Sequence, residues 1–275
     1  MINILVALNA EAKSIRQVLK LRALQDSAPW RCYVNDRYRL LVTGTGSLNM
    51  AMATSWLFGA YGSASLWVNI GSAGHKTAEV GSVVIANKIV DSKSGQTWFI
   101  PILVNGISSG TVCTFERAKV EFSDLNFYDM EAAGFIQAAL RVTERERIHS
   151  IKIVSDNDIE RSGDLDELRL MEIIEAATET VLTRLQQIID SLGSGAVEIM
   201  PKSKISQEYF NLGKLRHISS AQEHRWRELK RCWSAVGWSI KSLRQTLDSH
   251  KSTTDFLDWM ESELHSKPIS LERKP

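Results

Sequence analysis

The sequence predicts an α/β protein in which a central mixed sheet is flanked by helices and followed by an α-helical C-terminal extension. Short β-branched or apolar runs alternate with amphipathic stretches, which is typical of a mixed or mostly parallel sheet covered by helices. Several of the apolar runs end in glycine and small polar residues, as strands beside a ligand crevice often do. After a long amphipathic stretch that ends near residue 192, the composition changes.

Two sequence patterns predict the elements. Runs of β-branched and apolar residues predict strands over 2–8, 38–43, 65–70, 82–90, 98–103, 110–113 and 148–154. Apolar residues at helical spacing predict helices over 10–21, 48–61, 130–142, 165–192, 220–247 and 253–265. The helix over 165–192 has a plausible stop in Gly193, Ser194 and Gly195.

The bulk composition is that of an ordinary globular protein. The 275 residues are 44% hydrophobic and 24% charged, and 33 basic against 32 acidic residues give a net charge of +1. No global field therefore attracts nucleic acid or a membrane surface. Cys32, Cys113 and Cys232 lie far apart without a CxxC spacing, which argues against a zinc cluster and a disulfide framework.

No apolar run approaches the ~20 residues that a membrane-spanning helix needs. The apolar start of the chain lacks the basic region of a secretory signal. We therefore expect a soluble, cytoplasmic protein with no metal site, no membrane contact and no nucleic-acid partner.

The chain is expected to divide into an α/β domain, residues 1–192, and a helical extension, residues 196–275. Between residues 202 and 251, eleven Lys or Arg stand against four Asp or Glu, so the extension is locally basic. Tryptophans at helical spacing favour a helical cap that packs on the main domain or across a dimer; they are Trp226, Trp233, Trp238 and Trp259. The alternative is a surface that docks a partner protein or nucleic acid.

Three strand ends carry small polar residues: Gly44-Thr45-Gly46-Ser47, Gly71-Ser72-Ala73-Gly74 and Ser155-Asp156. Since ligand crevices lie outside the carboxyl ends of strands in open α/β sheets, we expect these segments to converge on one site. The Gly44–Gly46 segment leads into a helix and could hold an anion through backbone N–H groups. It lacks the Gly-Lys-Ser/Thr of a Walker loop and the third glycine of a dinucleotide fingerprint. A bare tight turn is an equal alternative for either glycine segment.

Four carboxylates at strand ends are the candidates for chemistry: Glu11, Asp129, Glu131 and Asp156. Carboxyl groups can donate a proton to a leaving group, accept hydrogen bonds from hydroxyl groups and orient a nucleophile. Burial at its strand end would raise the pKa of Asp156 and make it a proton donor. The structural alternative makes Asp129 a helix N-cap and Glu131 a partner of the helix dipole.

Six collinear segments resemble the nucleoside phosphorylase superfamily of the purine and uridine phosphorylase type, and within it the methylthioadenosine/S-adenosylhomocysteine nucleosidases. The segments are Ala7-Leu8-Asn9-Ala10-Glu11-Ala12, Gly44-Thr45-Gly46-Ser47-Leu48-Asn49, Val68-Asn69-Ile70-Gly71-Ser72-Ala73-Gly74, Val80-Gly81-Ser82-Val83-Val84, Asp129-Met130-Glu131-Ala132-Ala133 and Val154-Ser155-Asp156. They span roughly residues 1 to 192 and imply a nucleoside phosphorylase-like fold for that domain.

The resemblance implies roles for the site residues. Asp156, supported by Ser155, looks like the acid that protonates a purine at N7, and Glu11 like the group that activates the attacking water. Glu131 looks like the ribose-binding carboxylate, with Met130 under the sugar. Ser72 and Gly74 fall near the water or phosphate, Phe115 is a stacking partner for the base, and Asp129 and Cys113 fall in substrate-binding segments.

The chain also departs from the family pattern. Asp129 stands where the nucleosidases usually carry Glu, and His75 replaces a glycine after Ala73-Gly74. Cys113 occupies the stretch where many members have an Asp that reads a base amino group, so the resemblance does not identify the base.

Three functions are compatible with these residues. The first is hydrolysis of a purine-type nucleoside, which Glu11 favours because phosphorylases of this type usually hold phosphate with arginines. The second is a phosphorylase with phosphate as co-substrate, and the third is a nucleoside-sensing module whose tail docks a partner. The resemblance further implies no cofactor and a homo-oligomer, a dimer or higher.

Overall fold

The computed structural model describes residues 1–24, 28–104, 106–118, 122, 125–159, 166–193, 218–235, 243 and 246–266. The strands are β1 (Ile2–Val6), β2 (Arg22–Ala23), β3 (Arg31–Val34), β4 (Tyr38–Val42), β5 (Leu66–His75), β6 (Val83–Asp91), β7 (Thr97–Phe99), β8 (Ser109–Thr114), β9 (Phe127–Asp129) and β10 (Ile148–Asp156). The helices are α1 (Asn9–Val18), α2 (Ser47–Tyr61), α3 (Ala132–Ala139), α4 (Glu167–Gly193), α5 (Ser220–Ala235) and α6 (Thr253–Ser266), and a 3₁₀ turn spans Arg145–Arg147.

The strands form one mixed sheet in the order β10-β6-β8-β9-β5-β1-β4-β3-β2, with β7 added to β6. β10 also pairs in parallel with β5, so β5, β10, β6, β8 and β9 close into a ring. β1 runs parallel to β5 on the outside of this ring. The carboxyl ends of β1, β5 and β10 therefore meet at one edge of the sheet, which is where the site lies.

Helices cover both faces of the sheet. Successive residues of β1 point to opposite faces: Ile4 joins a core with α1 and α4, while Leu5 joins a core with α2 and α3. In the first core Ile15 of α1 packs with Ile174 of α4, and in the second Phe135 of α3 is fully buried. The predicted α/β class with a central mixed sheet and flanking helices is confirmed.

Several element boundaries differ from the prediction. β5 continues through Gly71 to His75, so the Gly71–Gly74 segment is extended strand and the tight-turn interpretation is wrong. β10 likewise includes Ser155 and Asp156, because it stays paired with β5 to that point. β9 forms at Phe127–Asp129, a stretch for which no strand was predicted. The strand expected over 98–103 is limited to Thr97–Phe99.

The first edge strands were not predicted. β3 pairs antiparallel with β4, and β2 pairs antiparallel with β3. Both strands lie between the strands predicted over 2–8 and 38–43, where no strand was predicted. β2 has two residues, both exposed, so it has no apolar period to detect. Such short edge strands are fixed by their neighbour rather than by their own sequence.

The helical part of the C-terminal extension has its own apolar cluster. Trp226 and Trp233 of α5 pack with Phe256 and Leu264 of α6, and Phe99 of β7 joins the same cluster. Of the helix predicted over 220–247, α5 covers Ser220–Ala235. Residues 236–242, 244 and 245 lie outside the described residues. The stop at Ser194 and Gly195 also lies outside them, so the domain division at 192/196 stays a prediction. None of the helices in the described part of the chain combines the length and the apolar character needed to span a bilayer.

Helices α2 and α3 approach most closely at Gly134. A Cβ atom on this glycine would lie 1.9 Å from the Ser47 carbonyl oxygen, which is backbone and cannot rotate away. We therefore expect Gly134→Ala to lower the free energy of unfolding by about 1–3 kcal/mol or more through overpacking. Urea unfolding followed by circular dichroism measures it.

Gly59→Ala is the matched control for this substitution. Gly59 lies in α2, and a Cβ atom there meets nothing within 4 Å. Replacing an unhindered helix glycine with alanine is expected to stabilise the protein by up to about 1 kcal/mol. Equal effects of the two substitutions would contradict the close approach at Gly134.

Candidate active site

The edge where β1, β5 and β10 end forms a cleft. Glu11 and Ser72 line one side of it, Asp129 and Glu131 another, and Ser155 and Asp156 a third. Met130, Gly74, Phe115 and Thr45 also line the cleft. The expectation that the strand ends converge therefore agrees with the geometry, and four carboxylates face one space.

Glu11 is fixed by four hydrogen bonds. Its Oε2 accepts the backbone N–H groups of Ala7 and Leu8, both at 2.9 Å. Its Oε1 accepts the N–H of Ser72 at 2.9 Å and the Ser72 hydroxyl at 3.0 Å. Glu11 lies in the first turn of α1 and is 2% exposed. A buried carboxyl group that accepts this many hydrogen bonds is held in one place.

Glu131 is the N-cap residue of α3. Its Oε1 accepts the N–H of Gly46 at 2.8 Å, and its Oε2 accepts the N–H of Met130 at 3.3 Å. Burial is the main reason that its pKa rises to about 7; repulsion from Asp129 adds to this, and Lys152 opposes it. The Glu131 carboxyl group therefore changes charge near neutral pH.

Asp129 lines the cleft, but its side chain is fully buried and bonded to the surrounding protein. Its Oδ1 accepts the Thr114 hydroxyl at 2.6 Å, and its Oδ2 accepts the N–H of Ala132 at 2.8 Å. The second bond satisfies a free N–H at the start of α3, but the N-cap position is occupied by Glu131, so the alternative that made Asp129 the N-cap is wrong. Oδ2 also lies 2.7 Å from Lys152 Nζ, and both side chains are fully buried.

Lys152 was missed by the sequence reasoning. Burial alone lowers its pKa, but Asp129, Glu131 and Glu11 outweigh burial and hold the pKa above its usual value. A Cβ atom on Gly71 would lie 3.2 Å from Glu11 Oε1 and 3.5 Å from Lys152 Nζ. Lys152 is thus one buried cation among three carboxylates. The available signal was a lysine within the otherwise apolar run Ile151–Val154 of β10.

Asp156 lies at the end of β10 beside Ser155, whose hydroxyl donates to its Oδ1 at 2.6 Å. Burial raises the pKa of Asp156, and the Ser155 hydrogen bond opposes this only in part. A Cβ atom on Gly74 would lie 3.0 Å from Asp156 Oδ2 and 2.5 Å from the ring of Phe122. Gly74 is therefore required by the close approach of these two side chains.

Aromatic rings form the remaining wall of the cleft. The Tyr128 ring is 5.2 Å from Phe122 in a stacked arrangement and 5.5 Å from Phe115. All three line the cleft together with Leu170 from α4. The sequence reasoning proposed Phe115 alone. Phe122, Tyr128 and Leu170 carry no motif, and only the folded sheet brings them to this edge.

Three predicted site residues do not line the cleft. Cys113 faces Lys88, whose pKa it influences, whereas its neighbours Thr114 and Phe115 reach the site. Gly44 donates its N–H to the Ala7 carbonyl at 3.0 Å. Gly46 donates to Glu131 as described above, so the anion that this N–H binds is a side chain of the protein. Only Thr45 of the predicted anion loop lines the cleft.

His75 closes the turn after β5 rather than the cleft itself. Its Nδ1 accepts the N–H groups of Thr77 at 3.0 Å and Ala78 at 2.8 Å. Since Nδ1 is an acceptor, Nε2 carries the proton and donates to the Leu125 carbonyl at 3.2 Å. The residue that departs from the glycine pattern thus ties the end of β5 to the segment before β9.

Comparison with solved structures reveals this architecture in nucleosidases. The apo structure of a 5'-methylthioadenosine nucleosidase from Arabidopsis thaliana matches with a TM-score of 0.59 and 17% identity over 68% of this chain and 95% of that chain. The chain has the fold of these nucleosidases. The nucleosidase fold also appears in the 5'-methylthioadenosine/S-adenosylhomocysteine nucleosidase from Neisseria meningitidis in complex with methylthio-immucillin-A, with a TM-score of 0.56 and 19% identity over 69% and 98% of the two chains.

The enzyme of the same name from S. pneumoniae, with the transition-state inhibitor MT-ImmA, matches with a TM-score of 0.56 and 19% identity over 68% and 99%. No protein-family model matches the chain, and no curated protein sequence matches it. The expected likeness to the methylthioadenosine/S-adenosylhomocysteine nucleosidases is confirmed at the level of the fold. The matched region covers nearly all of each solved chain. About a third of this chain lies outside the matched region.

The ion pair between Lys152 and Asp129 gives a prediction about stability. Lys152→Met removes the cation and leaves Asp129 buried without its partner, since both side chains are 0% exposed. Breaking one partner of a buried pair costs about 3–5 kcal/mol, and we expect the free energy of unfolding in urea to fall by that amount.

Lys93→Met is the matched control. Lys93 pairs with Glu116 at 2.5 Å, but the two side chains are 73% and 70% exposed. Exposed pairs contribute little, so we expect no measurable change in unfolding. A Lys152→Met protein as stable as the wild type would show that the buried pair does not hold the site together.

Proposed function

We propose that the chain is a nucleosidase that hydrolyses the N-glycosidic bond of a purine-type nucleoside to free base and sugar. The observation that carries the proposal is a single cleft in which three carboxyl groups, Glu11, Glu131 and Asp156, have three different environments. Carboxyl groups whose pKa values are pushed apart can act as acid and as anion in one site at one pH.

Asp156 is the proposed acid. Its pKa is raised by burial, and a protonated carboxyl group there can donate to the nitrogen of a departing base. The Ser155 hydroxyl donates a hydrogen bond to Oδ1 of Asp156 and so orients the carboxyl group. The aromatic wall of Phe115, Phe122 and Tyr128 is suited to stack on a planar base.

Glu131 is the residue proposed to bind the ribose hydroxyl groups. In its ionised form it has acceptor positions beyond those used by Gly46 and Met130, and vicinal hydroxyls can donate to them. Met130 lines the same part of the cleft and offers an apolar surface to the sugar ring. Solved structures with this fold are named for a nucleosidase of 5'-methylthioadenosine and S-adenosylhomocysteine, which supports a nucleoside as ligand.

Hydrolysis is favoured over phosphorolysis by the charges that face the cleft. The N–H groups of Gly46 and Ser72, which a phosphate ion would need, already donate to carboxylates. Glu11 and Glu131 would repel a phosphate dianion, whereas a neutral water molecule is not repelled. The proposed nucleophile is therefore water, next to Glu11 and Ser72.

The experiment that tests the function is a panel of purine and pyrimidine nucleosides, with and without a 5' substituent, assayed with and without phosphate. We expect release of free purine at the same rate in both conditions. Turnover that needs phosphate and yields ribose 1-phosphate would replace the hydrolase with a phosphorylase. Binding without turnover of any member would favour the sensing module.

The acid role of Asp156 predicts a large effect of Asp156→Asn. This substitution removes a proton and little volume, so we expect base release to fall by about 10²- to 10⁴-fold while nucleoside affinity changes little. Asp158→Asn is the control, because Asp158 is exposed just beyond β10. Near-normal turnover of Asp156→Asn would exclude the acid role.

The pKa of Glu131 predicts a pH dependence of binding. Because the pKa in the folded protein is raised to about 7, Glu131 is mostly protonated below that pH and ionised above it. The ionised carboxylate can accept hydrogen bonds from two hydroxyl groups on its two oxygens. In the protonated form one oxygen carries a hydrogen and accepts less well. Nucleoside affinity, measured by calorimetry in the Asp156→Asn protein to prevent turnover, should rise by up to about tenfold per pH unit below 7 and level off above it.

Glu131→Gln should remove this dependence and weaken binding at pH 8. Gln keeps one carbonyl acceptor, so the fold at the start of α3 is expected to survive. A pH dependence of affinity that persists in Glu131→Gln would assign it to another group.

A further inference from the structure

The acceptor positions of Glu11 are all in use. An ionised carboxylate offers about four lone-pair positions. Two on Oε2 take the N–H groups of Ala7 and Leu8, and two on Oε1 take the N–H and the hydroxyl of Ser72. A water molecule in the cleft that is to lose a proton to Glu11 therefore has no direct acceptor position on this carboxylate.

The Ser72 hydroxyl lies beside Glu11 at the cleft, where both residues are part of the lining. Ser72 lines the cleft and is partly exposed, while Glu11 beside it is 2% exposed. The hydroxyl donates its one hydrogen to Glu11 and keeps two lone pairs. Its strand, β5, pairs with β1 as far as Asn69 and with β10 at Ser72 itself, which is opposite Ile153. The hydroxyl thus has a fixed position with acceptor capacity toward the cleft.

We propose that the Ser72 hydroxyl relays the proton of the attacking water to Glu11; this inference rests on the proposed hydrolysis. The water donates to Ser72 Oγ, and its oxygen lone pair forms the bond to the anomeric carbon. One water proton passes to Ser72 Oγ as the Ser72 hydroxyl proton passes to Glu11 Oε1. The bond from the anomeric carbon to the base nitrogen breaks, and its electron pair stays on the base, which takes the proton of Asp156.

The charges balance over this step. Glu11 changes from carboxylate to carboxylic acid, Asp156 changes from carboxylic acid to carboxylate, and Ser72 is again a neutral hydroxyl group. The products are the free base and the sugar with a hydroxyl group at the anomeric carbon. Transfer of one proton from Glu11 to Asp156 through water then restores the starting state.

The relay and a direct attack make opposite predictions for Ser72→Ala. The substitution keeps the backbone N–H of residue 72, so three backbone N–H groups still hold Glu11 in place. It also vacates one lone-pair position on Oε1. If Glu11 takes the proton directly, activity is maintained or rises; if the hydroxyl is the relay, the proton path is broken.

The test uses the full-length chain and the nucleoside of the panel that the wild type hydrolyses fastest. We expect Ser72→Ala to lower kcat by about 100-fold or more, as loss of a proton-transfer group does, with KM within about threefold. Ser72→Thr keeps a hydroxyl and suits a strand, so it should remain within about tenfold of the wild type. Ser14→Ala, at a buried serine of α1 that is not among the residues lining the cleft, should leave kcat unchanged.

Two results would overturn the relay while leaving the hydrolase intact. The first is Ser72→Ala with kcat within about threefold of the wild type. The second is a similar loss in Ser72→Ala and Ser72→Thr accompanied by a raised KM, because that pattern assigns the hydroxyl to the shape of the cleft. A wild-type protein that hydrolyses no nucleoside of the panel would instead overturn the proposed function, and the relay with it.

Discussion

The site depends on one buried cation. Lys152 is fully buried in β10, and its ion pair with Asp129 brings a positive charge among carboxylates that would otherwise repel one another. Asp129 in turn accepts the first free N–H of α3 and the Thr114 hydroxyl, so the pair fixes the point at which α3 begins. Glu131 is the N-cap of that helix. The position of the proposed ribose ligand thus follows from a lysine that does not line the cleft.

Among the described residues, Lys152 is one cation beside the three carboxylates Asp129, Glu131 and Glu11, and the carboxylates of the cleft are stabilised unequally. Glu11 is stabilised by four donors, three of them backbone N–H groups whose positions the fold determines. Glu131 has two N–H donors and a repelling neighbour in Asp129, so its pKa reaches about 7. Asp156 has the Ser155 hydroxyl, which offsets burial only in part. Carboxyl groups of the same chemistry thus meet three different environments within one cleft.

The sequence was sufficient for the layers and for the carboxylates, because apolar period and strand ends are local signals. It was insufficient where a residue's role depends on a neighbour across the sheet. The Gly71–Gly74 segment has the composition of a turn, yet its glycines are required because Glu11, Lys152 and Phe122 approach the backbone of β5. Cys113 and Thr114 are neighbours on β8 and lie on opposite faces of the strand. The pairing of β8 with β9 determines which of the two faces the site. Lys152 was hidden within an apolar run for the same reason.

The C-terminal helices cover an edge of the same sheet. β7 pairs with β6 and with no other described strand, which leaves an edge that proteins usually cover. Phe99 of β7 is 5% exposed inside the cluster of α5 and α6, and Lys88 Nζ of β6 donates to the Leu264 carbonyl at 2.6 Å. Carbonyls in the last turn of a helix lack partners within the helix, and a cation there is favourable. In the described residues, α5 and α6 therefore pack against β6 and β7 as the cap interpretation expects, while docking of a partner by the extension stays a prediction.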